Sequence, residues 1–173
     1  PSAGVGKEKR WSLLTISSGH YPKVKFLNHQ WTASSADMFE EALAPYHPSK
    51  LGRLRSSSTT PLSADTVISN VEQFVKQSAS DNCSIVVVYY VGHAVSGASG
   101  NLWLVQSDAT IDSIKDAGKN SPDLKPVSEN MNQLADIANV LQVKYGAAPA
   151  GMLGVEKLCE ALSEGDVRFA SVV

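Results

Sequence analysis

Cysteine is scarce in this sequence: Cys83 and Cys159 are the two in 173 residues. Two thiols are too few for a disulfide framework, and they lack the CxxC-type spacing of a zinc site. A reducing cytoplasm is the simplest compartment for such a chain. An excess of positive charge is missing as well. Fifteen Lys and Arg stand against seventeen Asp and Glu, for a formal charge of −2, so the electrostatic footprint of a nucleic-acid partner is absent. No apolar run approaches the roughly 20 residues of a spanning helix, and residues 1–10 contain no apolar signal core, so no membrane partner is expected. GxxxxGK[ST], HExxH and GxSxG do not occur, which leaves phosphate-loop, zincin and hydrolase-elbow chemistry without support.

What is present suits one globular domain. The length and a hydrophobic content of 43% are enough for a substantial core. Residues 11–17 mix apolar and β-branched side chains ahead of a Ser-Gly-His-Tyr-Pro turn cluster, which predicts a first strand ending near Ser18. Ala36, Phe39 and Leu43 recur at helical spacing before Pro45 and Pro48, predicting a helix over 32–43. The stretch 51–61 is polar and reads as an exposed loop with room for a short strand. Ser63 is placed to cap a helix whose stripe is Val67, Ile68, Val71, Phe74 and Val75.

Residues 84–91 form an unbroken β-branched and aromatic run, the pattern of a central strand covered on both faces. Gly92 lets the chain turn at its end, the small-residue segment 94–100 reads as a loop, and 101–105 as a short strand. Residues 109–150 read as an insertion or flexible connection, with some helical pattern in Leu134, Ile137, Ala138 and Leu141. Order returns in 151–163, where Val155, Leu158, Cys159 and Leu162 share a helical face, and 167–173 reads as a further strand. Strands alternating with helices predict an α/β/α three-layer sandwich around a mainly parallel sheet. Ligands and chemistry gather at the carboxyl ends of strands in such sheets. His93 stands at one such end, between a rigid strand and small residues that leave space beside the imidazole, as a general base reachable by substrate would be mounted.

These residues resemble a family. Val88-Tyr-Tyr-Val-Gly-His-Ala94, the Gly-rich loop after it and Leu102-Trp-Leu-Val-Gln-Ser-Asp108 look like the caspase-like peptidase fold of caspases and metacaspases. There a strand ending in Tyr-Tyr-x-Gly-His-Gly carries the catalytic His, and a short following strand closes on an Asp. Leu13-Leu-Thr-Ile16 with Tyr21 fits the family's first strand and turn, and Ser35-Ala36 with Leu43 its Asp-Ala…Leu helix. The resemblance covers residues 11–108 and 151–173, and implies a cysteine endopeptidase acting by a Cys-His dyad. His93 would be its base, and the backbone N–H of Ala94, which stands where the family has Gly, would be an oxyanion donor. Asn28 and His29 fall where the family lines its specificity pocket. Asp108 reads either as a strand-end cap or as a substrate-binding carboxylate. Neither metal nor organic cofactor is implied, and the acidic clusters of calcium-regulated relatives are missing.

The family's nucleophile is missing from these residues too. It follows the strand that 167–173 represents, in an Asp-x-Cys element, so the chain reads as a single caspase-like domain truncated before its nucleophile. Cys83 precedes the central strand at the end opposite His93, roughly 25 Å away at about 3.3 Å per residue. Cys159, on an apolar helical stripe, reads as a small buried hydrophobe. The expected partners are a peptide or protein substrate and a regulatory domain or subunit carrying the missing Cys segment. A catalytically inactive caspase-like interaction or scaffold domain is the alternative. Trp103 is expected in the core, and His47 in solvent between two prolines.

Overall fold

A computed structural model describes residues 10–96, 102–119, 149–163 and 169–172. The described residues form a mixed α/β structure with two sheets. Strands β1 (Arg10–Ser18), β2 (Lys50–Arg55), β3 (Cys83–Gly92) and β7 (Phe169–Val172) form one parallel sheet in the order β2-β1-β3-β7. Strands β4 (Ala94–Ser96), β5 (Leu102–Val105) and β6 (Met152–Gly154) form a small antiparallel one in the order β4-β5-β6. The expectation that 11–17, 84–91 and 167–173 are parallel neighbours holds through β1, β3 and β7.

The strand order explains where the helices lie. From β1 the chain steps outward through α1 (Trp31–Leu43) to β2. It then returns across β1 through α2 (Ala64–Ser80) to β3. Right-handed crossovers in opposite directions place their helices on opposite faces of the sheet, and the side chains agree. Leu14 and Ile16 of β1 and Val86 and Val88 of β3 cluster with Val67, Val71, Phe74 and Val75 of α2. Thr15 points the other way to bond Glu40 of α1, and Tyr89 stacks on Phe39 of α1 at 4.0 Å between ring centroids. Helix α4 (Val155–Ser163) joins the α2 side through Leu158, Ala161 and Leu162. Ser63 caps α2 as its position predicts, accepting from the Thr66 amide at 3.2 Å.

A second cluster of Tyr21, Val24, Trp103, Val105, Ala109, Ala117 and Met152 packs the small sheet and α3 (Ile111–Lys119) against the loop that leaves β1. Strand β5 serves both cores, because alternate side chains face opposite ways. Trp103 and Val105 enter this cluster while Leu104 enters the main one.

The short strand for which 51–61 leaves room is present as the edge strand β2, residues 50–55. Its arginines look like loop residues in sequence because their counter-ions lie on α1. Three local readings change. Ala94–Ser96 is a strand rather than loop, held by antiparallel pairing with Leu102–Leu104. Residues 111–119 form α3 inside the supposed connection. It begins on a reciprocal cap in which Ser113 N–H donates to Thr110 Oγ1 at 3.1 Å and Thr110 N–H to Ser113 Oγ at 2.8 Å. Cys159 is exposed, since the buried side of α4 is formed by Leu158, Ala161 and Leu162. The helical pattern read over 127–145 lies outside the described residues. Trp103 is buried and His47 exposed, as expected, and Cys83 is buried.

Candidate active site

In the order β2-β1-β3-β7 the chain passes from β1 to β2 on one side and from β3 toward β7 on the other, so the carboxyl ends of β1 and β3 form the switch point at which such sheets place their ligands. The loop after β1 and the residue after β3 meet there. The loop is pinned at its base by Ser56, whose hydroxyl accepts from the amides of Gly19 at 2.8 Å and His20 at 3.0 Å. It closes on itself through His29 N–H to Gly19 O at 2.9 Å and Tyr21 N–H to the Asn28 side-chain oxygen at 2.6 Å. Gly19 is required by this closure. A Cβ there would lie 2.1 Å from Thr32 Oγ1 and 2.4 Å from His29 O. Gly19→Ala is expected to cost about 2 kcal/mol by overpacking, lowering Tm by about 6 °C. A calorimetric scan checks it, and an unchanged Tm would mean that the loop yields freely.

His93 follows β3 directly and is half-buried. Its Nε2 lies 2.9 Å from the carbonyl oxygen of Leu27. A carbonyl only accepts, so Nε2 carries the proton and, in the neutral ring, Nδ1 keeps the lone pair. The backbone is held separately, with His93 N–H donating to the Tyr21 hydroxyl at 3.1 Å and His93 O accepting from Val105 N–H at 2.9 Å. Gly92 contributes close approach rather than a turn. It ends β3 opposite Ser18, and a Cβ there would lie 2.9 Å from Ser18 O and 2.8 Å from the Tyr90 hydroxyl.

The imidazole has two aromatic neighbours in the loop. His29 lies 4.7 Å from it between ring centroids and Tyr21 5.4 Å. Trp31, which is 52% exposed, continues the series outward, 5.5 Å from His29. Tyr21 is fully buried. Burial pushes its hydroxyl above the ordinary tyrosine value against the opposing bonds to His93 and Ser18, so it stays protonated. Burial acts the same way on Tyr90.

The residues singled out in the sequence separate into groups. His93 and His29 come into ring contact. Asn28 directs its side-chain oxygen to the Tyr21 amide, so that atom is engaged within the loop. Ala94 is exposed and paired opposite Leu104 in the β4–β5 ladder. His93, one step earlier, holds the hydrogen-bonded position through Val105 N–H, so alternation turns the Ala94 N–H away from β5. Asp108 lies in the turn after β5, with Oδ1 buried and without a hydrogen-bond partner among the described residues. It is therefore not a strand-end cap through that atom, and no described hydrogen bond joins it to His93. Cys83 sits at the opposite end of β3, paired with Arg10. Although Cys159 is exposed as a residue, desolvation of its sulfur and the nearby Glu156 carboxylate push the thiol above its ordinary value, the reverse of what a nucleophilic thiolate needs. Sequence spacing did not reveal the hydroxyl role of Tyr21, because its partner lies 72 positions away.

Neither a scan against family models nor a search of curated proteins finds a match to this chain. Among the described residues no helix is long and apolar enough to cross a membrane, and no group of three His, Cys, Asp or Glu could hold a metal ion.

Proposed function

We propose that this chain is the histidine-bearing part of a caspase-like cysteine endopeptidase, built as the three-layer sandwich of that family and working in a reducing compartment. One observation carries the reading: His93 directly follows β3, beside the loop that leaves β1, with Nε2 on the Leu27 carbonyl, so that Nδ1 is the available base. The thiol comes from residues outside 1–173, since Cys83 is at the far end of β3 and Cys159 is tuned toward the protonated form. In the reaction Nδ1 takes the thiol proton and the sulfur attacks the peptide carbonyl. The tetrahedral oxyanion accepts from the outward N–H of Ala94. Collapse breaks the C–N bond, the amine leaves with the proton from the imidazolium, and water activated by the same nitrogen hydrolyses the thioester. His29 and Asn28 border the substrate's approach. This chemistry uses no cofactor, and its partners are a peptide or protein substrate and the segment or subunit that brings the thiol.

The test is a peptide-cleavage assay on the 173-residue chain and on the chain carried on past Val173 through an Asp-x-Cys element, each with and without a thiol alkylator. The short form is expected to be silent and the longer form to turn over in an alkylator-sensitive way. Alkylator-sensitive turnover by the short form would overturn the assignment of Cys83 and Cys159. Silence from both would favour a non-catalytic caspase-like scaffold, the reading supported by the lack of a thiol beside His93 among the described residues.

A further inference from the structure

We infer that Tyr21 is the positioning residue of the site, with its hydroxyl fixing the backbone from which the His93 imidazole projects. This rests on His93 being the reactive group. His93 is where the chain leaves one sheet and enters the other. The parallel register of β1 and β3 ends at Ser18 opposite Gly92, so the next amide, that of His93, lies past the last pair of that ladder. On its other side His93 opposes Val105 in the antiparallel hairpin, and its carbonyl accepts from Val105 N–H. The reciprocal acceptor, Val105 O, is taken by the Tyr90 hydroxyl at 3.0 Å and the Ser18 hydroxyl at 3.4 Å. The His93 N–H therefore turns to Tyr21.

The same hydroxyl donates its proton to Ser18 O. One buried oxygen thus bridges the last residue of β1 and the first residue after β3, across the strand ends where the reaction is placed. Tyr21 is seated in turn by Asn28, which accepts its amide, while Leu27 next to Asn28 holds the imidazole. The loop grips His93 at its backbone nitrogen and at Nε2, and both grips pass through residues 21–28.

Tyr21→Phe keeps the ring and removes the bridge. In the 173-residue chain, observed by nuclear magnetic resonance, the His93 amide is expected to exchange with solvent about tenfold faster, the factor that one lost neutral hydrogen bond is worth. The imidazole nitrogen shifts are expected to move away from a single Nε2–H tautomer. In the catalytically complete chain, kcat is expected to fall about 10- to 100-fold with KM unchanged, as for a displaced catalytic group. Asn28→Ala is expected to give the same signature at smaller amplitude, and Asn28→Asp, which keeps the acceptor oxygen, to restore it. If Tyr21→Phe lowers Tm while His93 exchange and imidazole signals stay as in the parent, Tyr21 is only a packing residue and the inference fails. The resonance measurements need no peptidase activity, so a failure of the peptidase reading leaves them interpretable.

Discussion

Replacing His93 by alanine is expected to lower kcat/KM for peptide cleavage about 1,000-fold or more in the chain carried on past Val173, since the dyad loses the group that accepts the thiol proton and returns it to the leaving amine. The fold is expected to survive. The substitution deletes one hydrogen bond, from Nε2–H to Leu27 O, worth about 1 kcal/mol, and leaves in place the backbone bonds of residue 93 to Tyr21 and Val105. A kinetic comparison of parent and variant, with circular dichroism to verify folding, decides the matter. A folded variant that retains a tenth or more of the parental activity would remove His93 from the mechanism.

The parts of this architecture that were legible in the sequence are those whose physics is local or uniformly apolar. The unbroken run in β3 and the α2 stripe announce themselves, and two strands joined through helices imply parallel pairing. Strand β2 was legible only as room for a short strand inside a loop, because its sequence, Lys-Leu-Gly-Arg-Leu-Arg, is polar in isolation. Its arginines find their carboxylate partners on another element. Helix α3 is short with few apolar residues, and its Thr110–Ser113 cap uses Ser where the familiar box has Glu or Gln. Cys159 was misplaced because Ala161, which shares the buried side of α4 with Leu158 and Leu162, carries little hydrophobic signal. At the site, strand-end logic singled out His93 and the family resemblance singled out His29, and the two rings lie together. The carbonyl of Leu27 and the hydroxyl of Tyr21 were beyond reach, since backbone groups and long-range partners leave no mark in residue spacing.

The largest stability effect is expected at Glu40, a carboxylate that is 7% exposed on the sheet side of α1. Its Oε1 accepts from Thr15 of β1 and from Arg55 of β2 at 2.6 Å, and its Oε2 accepts from Arg53 at 2.6 Å. Helix, central strand and edge strand are thereby joined at one group. Burial alone would raise this carboxyl. The bonds from Arg53, Thr15 and Arg55 outweigh it and hold the group below its ordinary value of 4.5. Glu40→Ala is expected to cost about 3 kcal/mol, toward the lower end for a broken buried ion pair because the arginines can partly rehydrate, and to lower Tm by about 8 °C. The pH dependence has a definite sign. A group whose folded value lies below its unfolded one stabilises fully above the unfolded value, and that contribution fades as pH falls through the folded value. Denaturant titrations of the parent and of Glu40→Gln are therefore expected to differ most near pH 7 and to converge as pH falls below about 4.5. A gap that stays constant from pH 7 to about pH 3 would mean that the carboxylate charge contributes nothing. The consequence reaches the site, because α1 starts at Trp31, whose ring lies against His29 and through it beside His93. If the Glu40 anchor sets the seating of α1, the His29 and His93 ring resonances shift in Glu40→Ala. If they stay fixed while stability falls, the loop holds its geometry independently of the helix that follows it.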